Sequence, residues 1–214
     1  MIDPSWFQGD SFENFKDQYR YAEDQLPPSK MFPETRGVPV STTAYVDASN
    51  EDNKVTRRCH TVFIIILNRV PIIWYSKIHN IVEESTFSGD FRASKDCAEH
   101  ITELCLKLHM LGIPVVEYTK IIYDNESVVK NSSILSSSLN KEHVFIAYHF
   151  VRWHIAAGVI KIAWIETNAN LADAMTKILT ADKRGGLFGQ WTYEVSNCND
   201  PIIYNLRIPN KYGR

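Results

Sequence analysis

Thr43-Ala44-Tyr45-Val46-Asp47-Ala48-Ser49 is a short β-prone segment that runs into the turn-like Asn50-Glu51-Asp52-Asn53. The apolar run Val62-Phe63-Ile64-Ile65-Ile66-Leu67 follows, and Asn68-Arg69-Val70 turns the chain into Pro71-Ile72-Ile73-Trp74-Tyr75-Ser76-Lys77. Three strands with connections this short form an antiparallel meander. From about Ser88 the period becomes helical. Phe91, Cys97, Ile101, Leu104, Cys105, Leu108 and Leu111 share one stripe, which Gly112 and Pro114 end. A fourth strand, Lys120-Ile121-Ile122-Tyr123, leads into a short helix through Val129. A Ser-rich loop (132–140) precedes a long helix at about 141–157, then a fifth strand over 159–165 and a last helix at about 170–179. The order βββ-α-β-α-α-β-α predicts an α/β layer fold with a mixed sheet.

The flanks read differently. Residues 1–40 hold seven acidic and four basic residues and the prolines Pro27, Pro28, Pro33 and Pro39, the composition of a connector. The stretch 181–214 has no clear period and reads as a tail. That leaves 41–180 as the domain. Its charge balance is near neutral, and the 214-residue chain has a formal charge of −2, which argues against a strongly basic nucleic-acid coat. The longest apolar run, six residues, cannot span a bilayer that needs about 20. Cys59, Cys97, Cys105 and Cys198 lack CxxC spacing and are too few for a disulfide framework. With no signal-peptide pattern at Met1-Ile2-Asp3-Pro4, the expectation is an intracellular protein, cytoplasmic or nuclear. Cys97, His100, Cys105 and His109 imitate zinc-ligand spacing, but on one helix they spread around the axis rather than converging.

Four carboxylates stand in apolar settings. Asp47 follows Ala44-Tyr45-Val46, Asp124 follows Ile121-Ile122-Tyr123, Asp90 enters the long helix, and Asp173 lies between Leu171-Ala172 and Ala174-Met175. An ionised carboxylate beside a sheet core is costly, and a bound divalent cation offsets that cost. Converging from two strands and two helices, four such groups can hold two magnesium ions about 3.5–4 Å apart, an arrangement suited to phosphodiester hydrolysis. Read singly, each also has an ordinary role: Asp47 as a turn starter, Asp90 and Asp124 as helix N-caps, Asp173 as a solvated residue. Arg57, Arg58 and Lys77 flank the first hairpins, and Asn125 and Ser127 follow Asp124. These five are candidates for phosphate and sugar 2′-hydroxyl contacts.

Ala44-Tyr45-Val46-Asp47-Ala48-Ser49, Val55-Thr56-Arg57-Arg58, Pro71-Ile72-Ile73-Trp74-Tyr75-Ser76-Lys77 and Val82-Glu83-Glu84-Ser85-Thr86-Phe87 together resemble a known family. So do Tyr123-Asp124-Asn125-Glu126-Ser127-Val128-Val129-Lys130-Asn131, Tyr148-His149-Phe150-Val151-Arg152 and Asn170-Leu171-Ala172-Asp173-Ala174-Met175-Thr176-Lys177. The family is the ribonuclease H domain of Copia-type LTR-retrotransposon (reverse transcriptase) polyproteins, and the likeness runs over about residues 35–180. It implies a ribonuclease H-like fold, a mixed five-stranded sheet with helices on both faces. It also implies a site of four carboxylates for two Mg2+ ions (Mn2+ substituting) and cleavage of the RNA strand of RNA–DNA hybrids. Asp47 matches the first carboxylate, Asp124 the third and Asp173 the fourth. The second is normally a Glu, and Asp90 stands there, one methylene shorter; a neighbouring position where the family often has Glu is Ser88. The sequence has no polymerase Tyr-x-Asp-Asp motif and is expected to act beside the rest of a polyprotein or as a detached copy. Three readings follow: a metal-dependent endoribonuclease, an inactive remnant that still binds nucleic acid, and an integrase-like DNA nuclease.

Overall fold

The computed structural model describes residues 32–49, 58–79, 82, 85–115, 118–134, 144–189 and 191. Its five strands are β1 (Thr42–Ser49), β2 (His60–Leu67), β3 (Val70–Ile78), β4 (Thr119–Tyr123) and β5 (Ile160–Trp164), arranged in the order β3-β2-β1-β4-β5. The β1-β2-β3 pairs are antiparallel, and Asn68 takes the left-handed conformation (φ 56°) in the tight turn between β2 and β3. The β1–β4 and β4–β5 pairs are parallel, so helical crossovers separate them in sequence. The first crossover is α1 (Thr86–Met110); the second is α2 (Glu126–Ser133) with α3 (Phe145–Ala156).

Strand alternation divides the side chains between two faces. Ala44, Val46 and Ala48 of β1 join Phe63 and Ile65 of β2 and Ile121 and Tyr123 of β4 in the main core, with Phe91, Cys97 and Ile101 of α1 and Tyr148, Val151 and Ile155 of α3. The small β1 residues let α1 lie close. A Cβ on Gly89 would come within 2.6 Å of Cys59 Sγ and 3.6 Å of the Ala48 Cβ, so any side chain here would have to displace Cys59. Phe63 stacks on its cross-strand partner Tyr75 with ring centroids 4.6 Å apart, and His100 packs on both rings. Asp47 and Val62 belong to the opposite face, where α4 (Asp173–Thr176) packs on β1 and β2. Helices thus lie on both faces of the mixed sheet, as expected.

Helix α1 begins with a capping box in which Ser85 and Ser88 serve each other's backbone N–H groups. Leu111, expected on its buried stripe, is instead the exposed C-cap residue. Gly112 follows in the left-handed region (φ 71°), and its missing Cβ leaves room for the Glu34 carbonyl. Arg36 N–H donates to Gly112 O, and Val40 bridges to Val115, so residues 32–40 of the expected connector are fastened to the end of α1. Arg152, fully buried on α3, donates from Nη1 to the carbonyls of Asn131 and Ile134 and to Tyr148 Oη, joining the end of α2 to α3.

One expectation needs correction. The last helix does not run over 170–179. The chain makes a 3-10 turn at Thr167–Ala169 and then the four-residue α4, because the Asn170 side chain takes the Ala172 N–H and fixes an Asx-type turn between them. Lys177 is already extended, and Ile178 is fully exposed. The stretch beyond Thr180, in which no clear period is legible, holds one helix among its described residues. The chain divides into the units Met1–Leu179 and Thr180–Arg214, and the second contains helix α5 (Ala181–Phe188), with Thr180 accepting the Lys183 N–H as its N-cap. Gly185 and Gly186 hide that helix from propensity. Among the described residues no helix is long and apolar enough to cross a membrane.

Candidate metal centre

Strands β1 and β4 run parallel, and their C-terminal ends carry Asp47 and Asp124 to the same end of the sheet. Asp173, first residue of α4, reaches the same point from the Asp47 face. One carboxylate oxygen from each of the three lies within 4.8 Å of the other two. Among the described residues no other group of three or more His, Cys, Asp or Glu side chains is so placed. The zinc-like spacing on α1 makes no such group, since Cys97 is buried in the core and His100 packs on Phe63 and Tyr75.

Each carboxylate is held by its neighbours. Asp47 is almost buried, and Thr176 Oγ1 donates to its Oδ2 at 2.5 Å. Burial raises its pKa, against the lowering effects of the Thr176 hydrogen bond and the Lys177 charge; Asp124 and Asp173 push it further up. Asp124 sits on the bend after β4, where its carbonyl accepts the Trp164 indole N–H at 3.1 Å. Asp173 is fully buried, and its Oδ1 accepts from Lys177 Nζ at 2.7 Å. Asn170, also fully buried, fixes the approach of α4. Its Nδ2 donates to the Val46 carbonyl at 3.0 Å, one residue before Asp47.

Asp90 is brought to the same cleft but stands apart from the three. It lies in the second turn of α1, so it is not an N-cap; Ser85 has that role. Asn125 Nδ2 donates to its Oδ2 at 2.6 Å. Burial raises its pKa from an ordinary 3.8 to about 8, opposed by the Asn125 hydrogen bond, reinforced by Asp47 and Asp124, and opposed again by a backbone hydrogen bond from Ala48. Burial therefore favours the protonated form of Asp90 in the metal-free protein. Asp124 is not an N-cap either, since Asn125 caps α2 by accepting the Ser127 N–H. Ser88, two residues before Asp90, is committed to the capping box.

The cleft has a volume of about 580 Å3 and is lined by Asp47, Asp90 and Asp124 together with Asn125, Ser127, Thr176 and Lys177, among others. Of the expected nucleic-acid contacts, Asn125 and Ser127 thus lie at the carboxylates. Arg58 and Lys77 are exposed but do not line the cleft, and the register Thr61↔Lys77 puts Lys77 on the face opposite Asp47. Arg57 lies outside the described residues. Sequence reasoning missed Asn170, Thr176 and Lys177 as parts of the site. The signal for Asn170 and Lys177 was local, an Asn two residues before a turn N–H and a Lys four residues after an Asp, whereas Thr176 reaches Asp47 across 129 residues.

An all-oxygen donor set of three carboxylates, two of them buried, fits a hard divalent cation such as Mg2+ or Mn2+. Soft metals prefer sulfur and imidazole, which the group lacks.

No protein-family model matches the sequence. The chain is 27% identical over 145 residues to the retrovirus-related Pol polyprotein from transposon RE1 of Arabidopsis thaliana. It is 26% identical over 140 residues to that from transposon TNT 1-94 of Nicotiana tabacum. These matches cover 68% and 65% of this chain but only 10% of each polyprotein. Among solved structures, RNase H1 from Halobacterium salinarum NRC-1 superposes with a TM-score of 0.49 at 13% identity, over 63% of this chain and 92% of that one. LC11-RNase H1, isolated from compost and solved in complex with an RNA/DNA hybrid, gives a TM-score of 0.48 at 14% identity, over 63% and 92%. The mixed five-stranded sheet with helices on both faces is the one the resemblance implies, and the chain is distantly similar to the retrovirus-related Pol polyproteins of these plant transposons.

Proposed function

We propose that residues 41–180 are a divalent-metal-dependent endoribonuclease domain that hydrolyses the RNA strand of RNA–DNA hybrids, working as one part of a retrotransposon Pol polyprotein. Residues 1–40 then serve as a connector and 181–214 as a C-terminal tail. The observation that carries this reading is the meeting of Asp47, Asp124 and Asp173 at one end of the sheet, beside a cleft of about 580 Å3. These three residues are the metal donors in this reading, with Asp90 the fourth member of the set, and Mg2+ or Mn2+ the metal. When bound, a pair of such ions lowers the pKa of water and stabilises the leaving oxygen of a phosphodiester.

The chain's own residues supply the framework for that chemistry. Thr176 keeps the Asp47 carboxylate turned toward the cluster, and Asn170 keeps α4 seated against β1. Asn125 orients Asp90 while its own Oδ1 caps α2, which ties the fourth carboxylate to the cleft wall. Ser127, two residues on, offers a hydroxyl for a ribose 2′-OH in the shallow groove of the hybrid.

A second reading, an inactive remnant that still binds nucleic acid, is favoured by one observation. Asp90 stands apart from the three-carboxylate group, and its burial favours the protonated form. One experiment separates the two. The full chain is incubated with a labelled RNA–DNA hybrid, a DNA duplex and Mg2+ or Mn2+, beside Asp47→Asn and Asp90→Glu. Cleavage of the hybrid by the native protein and not by Asp47→Asn supports the enzyme. Cleavage by Asp90→Glu alone identifies the remnant. Cleavage of the DNA duplex but not the hybrid favours the integrase-like reading instead.

A further inference from the structure

Asp47, Asp124 and Asp173 crowd three carboxylates together, and among the described residues lining their cleft Lys177 is the only cation. Its ammonium lies 2.7 Å from Asp173 Oδ1 and 4.0 Å from Asp47 Oδ2, so it addresses two of the three at once. The i,i+4 spacing from Asp173 makes the contact geometrically natural on α4. The backbone of Lys177 ends that helix, and its side chain is 46% exposed, leaving a path from the cluster into solvent.

An Mg2+ ion demands carboxylate oxygens at about 2.0–2.1 Å in near-octahedral geometry. An ammonium hydrogen-bonded to the same carboxylates opposes it by competing for their oxygens and by charge. We propose that Lys177 is a resident counter-cation of this centre, which an incoming divalent ion displaces toward solvent, and that it thereby sets the metal concentration at which the centre loads. The inference rests on the metal-centre reading above and adds a residue outside the donor set. In the metal-free protein Lys177 offsets the mutual repulsion of the carboxylates; its displacement is part of the cost of loading.

The test measures Mn2+ binding to the full chain by calorimetry and by the loss of the free-ion paramagnetic resonance signal, with no substrate present. Native protein is compared with Lys177→Met, Lys177→Gln, Lys177→Arg and Asp47→Asn. Both neutral variants are expected to bind Mn2+ about tenfold more tightly, the size of one partly screened charge contact, while Lys177→Arg stays near native. In EDTA the neutral variants melt at lower temperature than native, and saturating Mn2+ raises their melting temperature by more than it raises the native one. Lys177→Gln preserves a hydrogen-bond donor to Asp173 and serves if Lys177→Met does not fold. Unchanged or weaker Mn2+ binding by a folded neutral variant overturns the role of Lys177 and leaves the metal centre standing. Mn2+ binding that Asp47→Asn does not weaken, or no binding by any variant, overturns the metal centre and this inference with it.

Discussion

Replacing Asp90 by asparagine separates two costs that the native site combines. The carboxyl is buried, and its pKa is raised from 3.8 to about 8. A group whose folded pKa lies above its unfolded value contributes stability that is fully present below the unfolded pKa and is lost as pH rises through the folded one. The folded protein binds the extra proton across this window, so metal-free stability falls between about pH 4 and pH 8. At pH 7 the gap to the unfolded value is roughly three units, or about 4 kcal/mol, and relaxation around a buried group reduces this to about 2–4 kcal/mol. The neutral amide of the Asp90→Asn variant carries no such penalty. It offers one acceptor where the carboxyl offers two, so either Asn125 Nδ2 or the Ala48 N–H loses its partner, at about 1–2 kcal/mol. The substitution is therefore expected to destabilise the protein by about 1 kcal/mol at pH 4 and to stabilise it by about 1–2 kcal/mol at pH 7, a rise of about 2–8 °C in Tm. Thermal and urea unfolding in EDTA at pH 4, 5.5, 7 and 8 reads the crossover. An equal loss of stability at every pH would show Asp90 to be ionised and well paired, and would refute the reasoning.

Two further substitutions test the framework. Asn170→Ala removes the buried hydrogen bonds to Val46 O and from the Ala172 N–H; urea unfolding should show a loss of about 2–3 kcal/mol, with Mn2+ affinity falling as Asp173 loses its anchor. Gly89→Ala places a methyl where Cys59 Sγ already sits, and should cost about 1–3 kcal/mol in the same assay. Its double variant with Cys59→Ala should recover much of that loss, and an additive double variant would place the strain elsewhere.

How much of this was legible in the sequence follows from what each signal depends on. The five strands and the long helix were readable because their apolar periods are set by burial, the strongest local signal. Four carboxylates stood out because each interrupts such a pattern, but spacing alone does not reveal which side of an element a residue occupies. The three-way meeting of Asp47, Asp124 and Asp173 depends on strand order and on the parallel register of β1 and β4, which no local window contains. Asp90 shows the same limit: its position was legible, but its hydrogen bond to Asn125, thirty-five residues on, was not. The final helix was misread because an apolar run, Leu171-Ala172-Asp173-Ala174-Met175, supports a helix longer than the Asn170 turn permits. Helix α5 was missed for the opposite reason, since two adjacent glycines outweigh everything else a propensity argument can see.

The fastening of Asn170 and Thr176 to β1 has a consequence for the order in which this molecule comes into being. These contacts span 124 and 129 residues, among the widest loops the fold must close. All five strands are already synthesised by Trp164, so a nascent chain can complete its sheet while the carboxylate from α4 is still to come. Assembly of the scaffold and assembly of the chemistry are thus separated in time. A product that ends between the fifth strand and Asn170 keeps every strand of the sheet, yet lacks the last carboxylate and the residue that seats it.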